Sequence, residues 1–202
     1  MKKSWLGLGC LGLIVLAVII VGLTVRGAYN DMVAQQQNVE AQWGQVQNVY
    51  QRRADLIPNL VATVKGYAAH ESSVLEAVTA SRAQVGSVRI TQDILNNPAE
   101  FQKFQQAQDG LTNALSRLLV VAERYPDLKA NQNFLELQSQ LEGTENRINV
   151  ERRRFNEATQ GYNTRIMQFP ANLVAKLFGF QQRSYFQAAP GSEKAPTVDF
   201  TK

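Results

Sequence analysis

The chain has 202 residues, room for one domain plus an anchor, and is rich in Gln and Asn but sparse in Gly and Pro. Its formal charge of +4 comes partly from Lys2, Lys3 and Lys202 at the ends. The other basic residues are interleaved with Glu and Asp, which argues against a nucleic-acid footprint. One cysteine, Cys10, and one histidine, His70, exclude an intramolecular disulfide and a metal site built from several soft or imidazole ligands.

Met1-Lys-Lys-Ser is followed by Trp5 through Val25, twenty-one residues without a charge, ending at Arg26. That length crosses a ~30 Å hydrocarbon core as a helix. A cleaved signal peptide would have a shorter core and a small-x-small site, and none stands near Gly22 or Ala28. A lipoprotein site at Gly9-Cys10 would put the apolar core on the wrong side of the cysteine. The segment therefore reads as an uncleaved anchor over residues 1–27, with Cys10 a small apolar residue inside it. Lys2 and Lys3 outweigh Arg26, so the positive-inside rule puts the N-terminus in the cytoplasm and exports the rest.

From Met32 a three-four alternation takes over: Met32, Val39, Trp43, Val46, Tyr50, Ile57, Leu60, Val64 and Tyr67. It predicts an amphipathic helix in which Gln36 and Arg53 intrude on the apolar stripe. Pro58 interrupts it chemically, leaving the Ala54 carbonyl without its usual donor, while the apolar phase continues across; a kinked helix is expected. Between Gly66 and Ser73 the chain either breaks, with Ser73-Val-Leu-Glu76 as a capping box, or continues, since Val74 and Val78 stay in phase. A short helix to about Val85 and a connector from Gly86 to Asn97 follow. Asn97-Pro98-Ala99-Glu100 marks the next start: a cap, a proline at the first helical position and an acid three residues on. Phe101, Phe104, Leu111, Leu115, Leu118, Ala122 and Tyr125 form its apolar face, and Tyr125-Pro126-Asp127 is a turn.

Pro126 to Pro170 then carries a nearly uninterrupted helical pattern in which Phe134, Leu141, Ile148, Phe155, Tyr162 and Phe169 recur every seven residues. The second seam position is weaker, with Leu137 and Ala158 apolar but Thr144, Glu151 and Arg165 polar. The pattern is that of a bundle helix of roughly 55–60 Å rather than a free-standing zipper. Phe169 to Phe180 is a further short helix bracketed by Pro170 and Gly179. From Gln187 the composition is that of a poorly ordered tail.

Three blocks are distinctive: Arg52-Arg-Ala-Asp-Leu-Ile-Pro-Asn-Leu-Val61 with Val64-Lys-Gly-Tyr-Ala-Ala-His-Glu71; Ala122-Glu-Arg-Tyr-Pro-Asp-Leu-Lys-Ala-Asn131 with Phe134, Leu137-Gln138 and Thr144-Glu-Asn-Arg-Ile148; and Phe169 through Phe180. With the anchor and the Val198-Asp-Phe200 ending, they resemble the LemA family over almost the whole chain. Phe155, where the family often has tyrosine, and Thr159, where it is commonly apolar, are departures. The resemblance implies an all-α protein of the bacterial cell envelope: a transmembrane helix followed by an antiparallel four-helix up-and-down bundle with long helices. It implies no reaction. The expected division is an anchor at 1–27, a bundle domain at 28–186 and a tail at 187–202.

No residue set supplies catalysis. His70 beside Glu71 reads as a turn residue, and Glu136, Glu142, Glu145 and Glu151 as a solvated face. There is no phosphate loop, no nucleophile elbow and no Glu-x-x-His pair for a dimetal site, so no cofactor is implied. Arg152-Arg-Arg154, flanked by Glu151 and Glu157, reads as paired surface charge. Arg53 in the seam either snorkels or forms a structural ion pair, with Glu71 or with a carboxylate of the long helix. Leu173, Val174, Leu177 and Phe178 share one face and need a cover: the bundle end, favoured because Lys176 is the only basic residue there, or the lipid interface. The expected partners are the bilayer, other envelope proteins and a second copy of the chain; nucleic acid is not among them. The expected role is a non-enzymatic scaffold or adaptor, with an accessory subunit of an envelope enzyme such as a protease as the alternative.

The orientation has a direct test. A Ser192→Cys variant should react with an impermeant thiol reagent in intact cells or spheroplasts, whereas labelling only after lysis would reverse the topology.

Overall fold

A computed structural model describes residues 2–88 and 92–188, with side chains from 11 to 88 and from 94 to 188. The side chains of Lys2, Lys3 and Cys10, and the expected tail from residue 189 onward, lie outside the described residues. The described part is all-α: α1 (Lys2–Tyr67), α2 (Ser72–Ser87), a 3-10 turn (Gln92–Asn96), α3 (Pro98–Ala122), α4 (Pro126–Lys129), α5 (Gln132–Met167) and α6 (Ala171–Phe178). Residues 180–188 follow α6 as an extended strap.

The apolar segment and the first bundle helix are one unbroken helix of 66 residues. Its apolar part has mean hydropathy 2.4 and only 6% of it is buried among the described residues, so length and composition suit a membrane span. Further along, the expected stripe Met32, Val39, Trp43, Val46, Tyr50, Ile57, Leu60 and Val64 is buried, while Tyr67 stays exposed. α1 continues helical through Pro58. The carbonyl of Ala54, orphaned by the proline, accepts a 3.0 Å hydrogen bond from Arg82 Nε of α2. A side chain from a neighbouring helix thus replaces the donor that proline lacks.

The chain breaks at residues 68–71, which decides between the two readings of that stretch. The expected capping box does not form. Glu71 occupies the cap without a side-chain bond to the helix, because its Oε1 accepts instead from Arg124 Nη2 at 3.2 Å and Tyr125 Oη at 3.1 Å. The α3 start is as expected: Asn97 Oδ1 accepts from the amides of Ala99 and Glu100. The pattern read as running from Pro126 is divided, since α4 ends and Asn131 caps α5 by accepting from Phe134 N at 3.0 Å.

Contacts along the chain establish the up-and-down order. Arg52 meets Gln140 and Arg165 meets Asp31, so α5 runs antiparallel to α1. α2 packs on α1 and α3. At ~1.5 Å per residue it covers only about 24 Å, against about 54 Å for α5, so four helices are present only in the half far from the span. In the near half the strap wedges between α3 and α5. The core divides accordingly. One apolar cluster runs from Ala28 to Tyr50 with Ile148, Phe155, Tyr162 and Phe186. The other runs from Ile57 to Ala68 with α2, most of α3, Phe134 and Leu141.

Candidate functional site

Three features could carry function: a polar layer at the waist of the bundle, the strap in its groove, and the end of the bundle beside the span.

The waist is built around Arg53, which is 1% exposed. Its Nη1 donates to Glu145 Oε1 of α5 at 2.6 Å and to Thr112 Oγ1 of α3 at 3.0 Å. Its Nη2 donates to the side chain of Gln108, and the guanidinium lies 5.1 Å from the centre of the Tyr50 ring. Arg53 is therefore paired with the long helix and not with Glu71. The reason is reach: Glu71 lies beyond the end of α1, roughly 20 Å along from Arg53, and is taken by Arg124. Burial pushes the Tyr50 hydroxyl above its ordinary pKa, against the opposing charges of Arg152 and Arg53. The network joins α1, α3 and α5 at the boundary between the two apolar clusters. A charge there admits only the register that supplies its acceptors.

The strap is held by amides. Asn163 Nδ2 and Oδ1 bond the carbonyl and amide of Arg183, both at 2.9 Å. Asn156 does the same for Phe186, at 3.0 and 2.9 Å. Gln105 of α3 bonds both backbone groups of Gln187, whose carbonyl also accepts from Arg152. One heptad of helix rises ~10.5 Å and three extended residues span about 10 Å, so asparagines seven apart meet every third strap residue. The Phe186 ring enters the aromatic cluster of Trp43, Phe101, Phe104 and Phe155, with centroids 5.0 to 6.4 Å away. Arg152 stacks over it at 4.6 Å, so only Arg154 of the arginine run makes the expected helical pair, with Glu151.

The near end contains α6. Ala171, Val174 and Ala175 are buried against the bundle, whereas Leu173, Leu177 and Phe178 are 58%, 76% and 52% exposed. The four apolar residues expected on one face divide between two, and the bundle covers Val174 but not Leu177. Small side chains at 171 and 175 let α6 approach closely, which turns the bulky leucines outward. Gly179, at φ 77° the only positive-φ residue among those described, then reverses the chain into the strap.

Chemically these sites bind and position. A cavity of about 610 Å³ beside α6 is lined mainly by amides and rings, with Gln36, Gln37, Asn96, Tyr162 and Gln181. Burial raises the Tyr162 hydroxyl above its usual pKa, so it is a neutral hydrogen-bonding group there. His70 is exposed in the turn after α1. Among the described residues no three His, Cys, Asp or Glu converge to hold a metal ion.

A profile of the LemA family matches residues 42–200. The chain belongs to the LemA family. Among its relatives are magnetosome protein MamQ 2 of Paramagnetospirillum magneticum, 28% identical over 199 aligned positions, covering 89% of this chain and 72% of that one. MamQ of Magnetospirillum gryphiswaldense is 26% identical, covering 91% and 73%. Protein LemA of Metamycoplasma hominis is 23% identical, covering 81% and 70%. The stretches of this LemA protein that carry the family resemblance meet in space: Arg53 of the first block binds Glu145 of the second, and Tyr67 of the first accepts from Asn131 of the second.

Arg53→Ala should lower stability by about 2–4 kcal/mol, somewhat less than for a fully buried pair because Glu145 keeps a third of its side chain exposed. Lys103→Ala, which removes an exposed pair with Glu100, should cost no more than about 0.5 kcal/mol. Equal denaturation midpoints for the two variants would contradict the structural role of the waist.

Proposed function

We propose that this protein is a non-enzymatic scaffold or adaptor of the bacterial cell envelope. It is anchored once in the cytoplasmic (inner) membrane, with its N-terminus in the cytoplasm and its bundle exported. The observation that carries this reading is the continuity of α1. A helix that leaves the bilayer without a break and is braced by α5 holds the bundle upright, its distal end roughly 60 Å from the span. A hinge-linked domain would sample many orientations; a braced rod presents fixed faces at a fixed height. Those faces are long and polar, the surface of a protein that meets other proteins. Relatives named as magnetosome proteins support a role at a membrane. The exported orientation rests on Lys2 and Lys3 outweighing Arg26.

The test is affinity isolation from detergent-solubilised membranes, with identification of what co-purifies. Recovery with one or more envelope proteins, none of them a stoichiometric enzyme, is the expected result. A stoichiometric enzyme whose activity changes when this chain is removed would make it an accessory subunit instead. Quantitative recovery as a lone monomer would contradict both.

A further inference from the structure

The outward face of α6 has no cover within the chain, and its position says what covers it. Met167, Phe169, Leu173, Leu177 and Phe178 are all more than half exposed, from 52% to 79%. Outside the span, the remaining exposed large apolar side chains among the described residues are Tyr29, which borders α6, and Tyr67, Val120, Leu135 and Tyr185, which are scattered over four different elements. Isolated exposure of that kind is ordinary; five bulky residues within twelve positions are not.

The inner face of α6 joins the same apolar cluster as Ala28 and Met32. The Tyr29 ring lies 4.9 Å from Phe178 and 5.6 Å from Phe180. These α1 residues stand one to two turns past Val25, the last residue of the uncharged run. A run of that length rises about 31 Å, the thickness of a hydrocarbon core, so Val25 marks one boundary of the core. α6 therefore lies at the depth of the headgroups, where rings such as Tyr29 are enriched. The Arg165–Asp31 pair, at 2.5 Å, ties the end of α5 to α1 at the same level.

We propose that the outward face of α6 is immersed in the bilayer interface, with Leu173 and Leu177 at its centre and Phe169 and Phe178 beside them. It forms a second membrane contact next to the spanning helix, and the proposal rests on reading that helix as a membrane span. Interfacial helices embed apolar side chains among headgroups and keep polar ones in water, and Lys176 supplies the polar side here. Among the described residues Lys176 and Arg26 are the cations near this face that form no ion pair, so the contact is driven by apolar area rather than by charge and is insensitive to the fraction of anionic lipid. A span alone sets the height of the braced rod but leaves the rod as a whole free to tilt and to rotate with its helix. A second contact beside it removes both freedoms, so the faces of the bundle acquire a fixed bearing on the membrane plane.

The experiment uses the full chain in phosphatidylcholine vesicles, with Cys10→Ser removing the native thiol and an environment-sensitive fluorophore at one introduced cysteine. At Leu177→Cys the label should emit blue-shifted light and be quenched by lipids carrying a shallow nitroxide, as at Leu23→Cys within the span. At Lys103→Cys it should be quenched only by aqueous iodide. Adding anionic lipid should change the Leu177 signal by less than about twofold, since a single lysine contributes little at the surface. Introducing Leu173→Asp with Leu177→Asp should leave the melting temperature unchanged and reduce lipid quenching of a label at Phe169→Cys to the Lys103 level. The proposal is overturned if Leu177→Cys behaves like Lys103→Cys while Leu23→Cys is quenched, a result that spares the span. It is equally overturned if the Leu177 label is shielded from both quenchers and cross-links to a second copy, or if the double aspartate variant melts early. Absence of quenching at Leu23→Cys would instead remove the span on which the proposal stands.

Discussion

Everything in this structure is referred to one helix that serves two solvents. From Leu11 to Leu23 α1 is apolar all round and exposed, as lipid requires; past Ala28 the same helix narrows its apolar residues to a stripe, as a bundle in water requires. No turn separates the two regimes. A turn would leave backbone groups to be satisfied at the membrane surface, and unbroken helix satisfies them internally. The consequence is mechanical: whatever fixes the direction of α1 fixes the direction of the domain. α5 braces it along most of its length outside the span, and α6 packs on it at the exit from the apolar run.

Two devices based on polar groups set the register of that assembly. Arg53 divides the core into two apolar halves and joins three helices by its hydrogen bonds, so sliding any one of them past another strands a charge. The strap is fixed differently, through its backbone, by amides repeating with the heptad of α5. Such a clamp is indifferent to most strap side chains, and the buried side chains of Phe186 and Arg183, with Phe180 against Tyr29, determine which residue occupies which position. The orphaned Ala54 carbonyl, met by Arg82, is a third polar repair, which lets Pro58 stand within a continuous helix.

Most of the helices, the stripes of α1 and α3, the Asn97 cap and the long apolar segment were legible in the sequence, because each depends on the spacing of local residues. Long-range polar partners were not. Glu71 and Glu145 are equally plausible partners for Arg53 until the break after Tyr67 places one of them at the far tip. Ser73-Val-Leu-Glu76 has the spacing of a capping box, but the helix starts earlier, at Ser72, with Glu71 at the cap and its carboxylate engaged by Arg124 and Tyr125. Nothing in composition marks Asn156 and Asn163, yet each follows a core aromatic, Phe155 or Tyr162, by one position; an amide repeating in step with the seam is the signal that exposes the strap. In α6 both faces carry apolar residues over only eight positions, so composition could not say which leucines turn inward.

The measurement closest to the centre of this account is hydrogen exchange on the full chain in a lipid bilayer, followed across residues 24–32. Amides in an unbroken, braced helix exchange only when it opens, so this stretch should be as protected as the helix around Trp43. Exchange there at the rate of an unstructured peptide, with the flanking segments still protected, would reveal a hinge and contradict the account of a span and bundle that move as one.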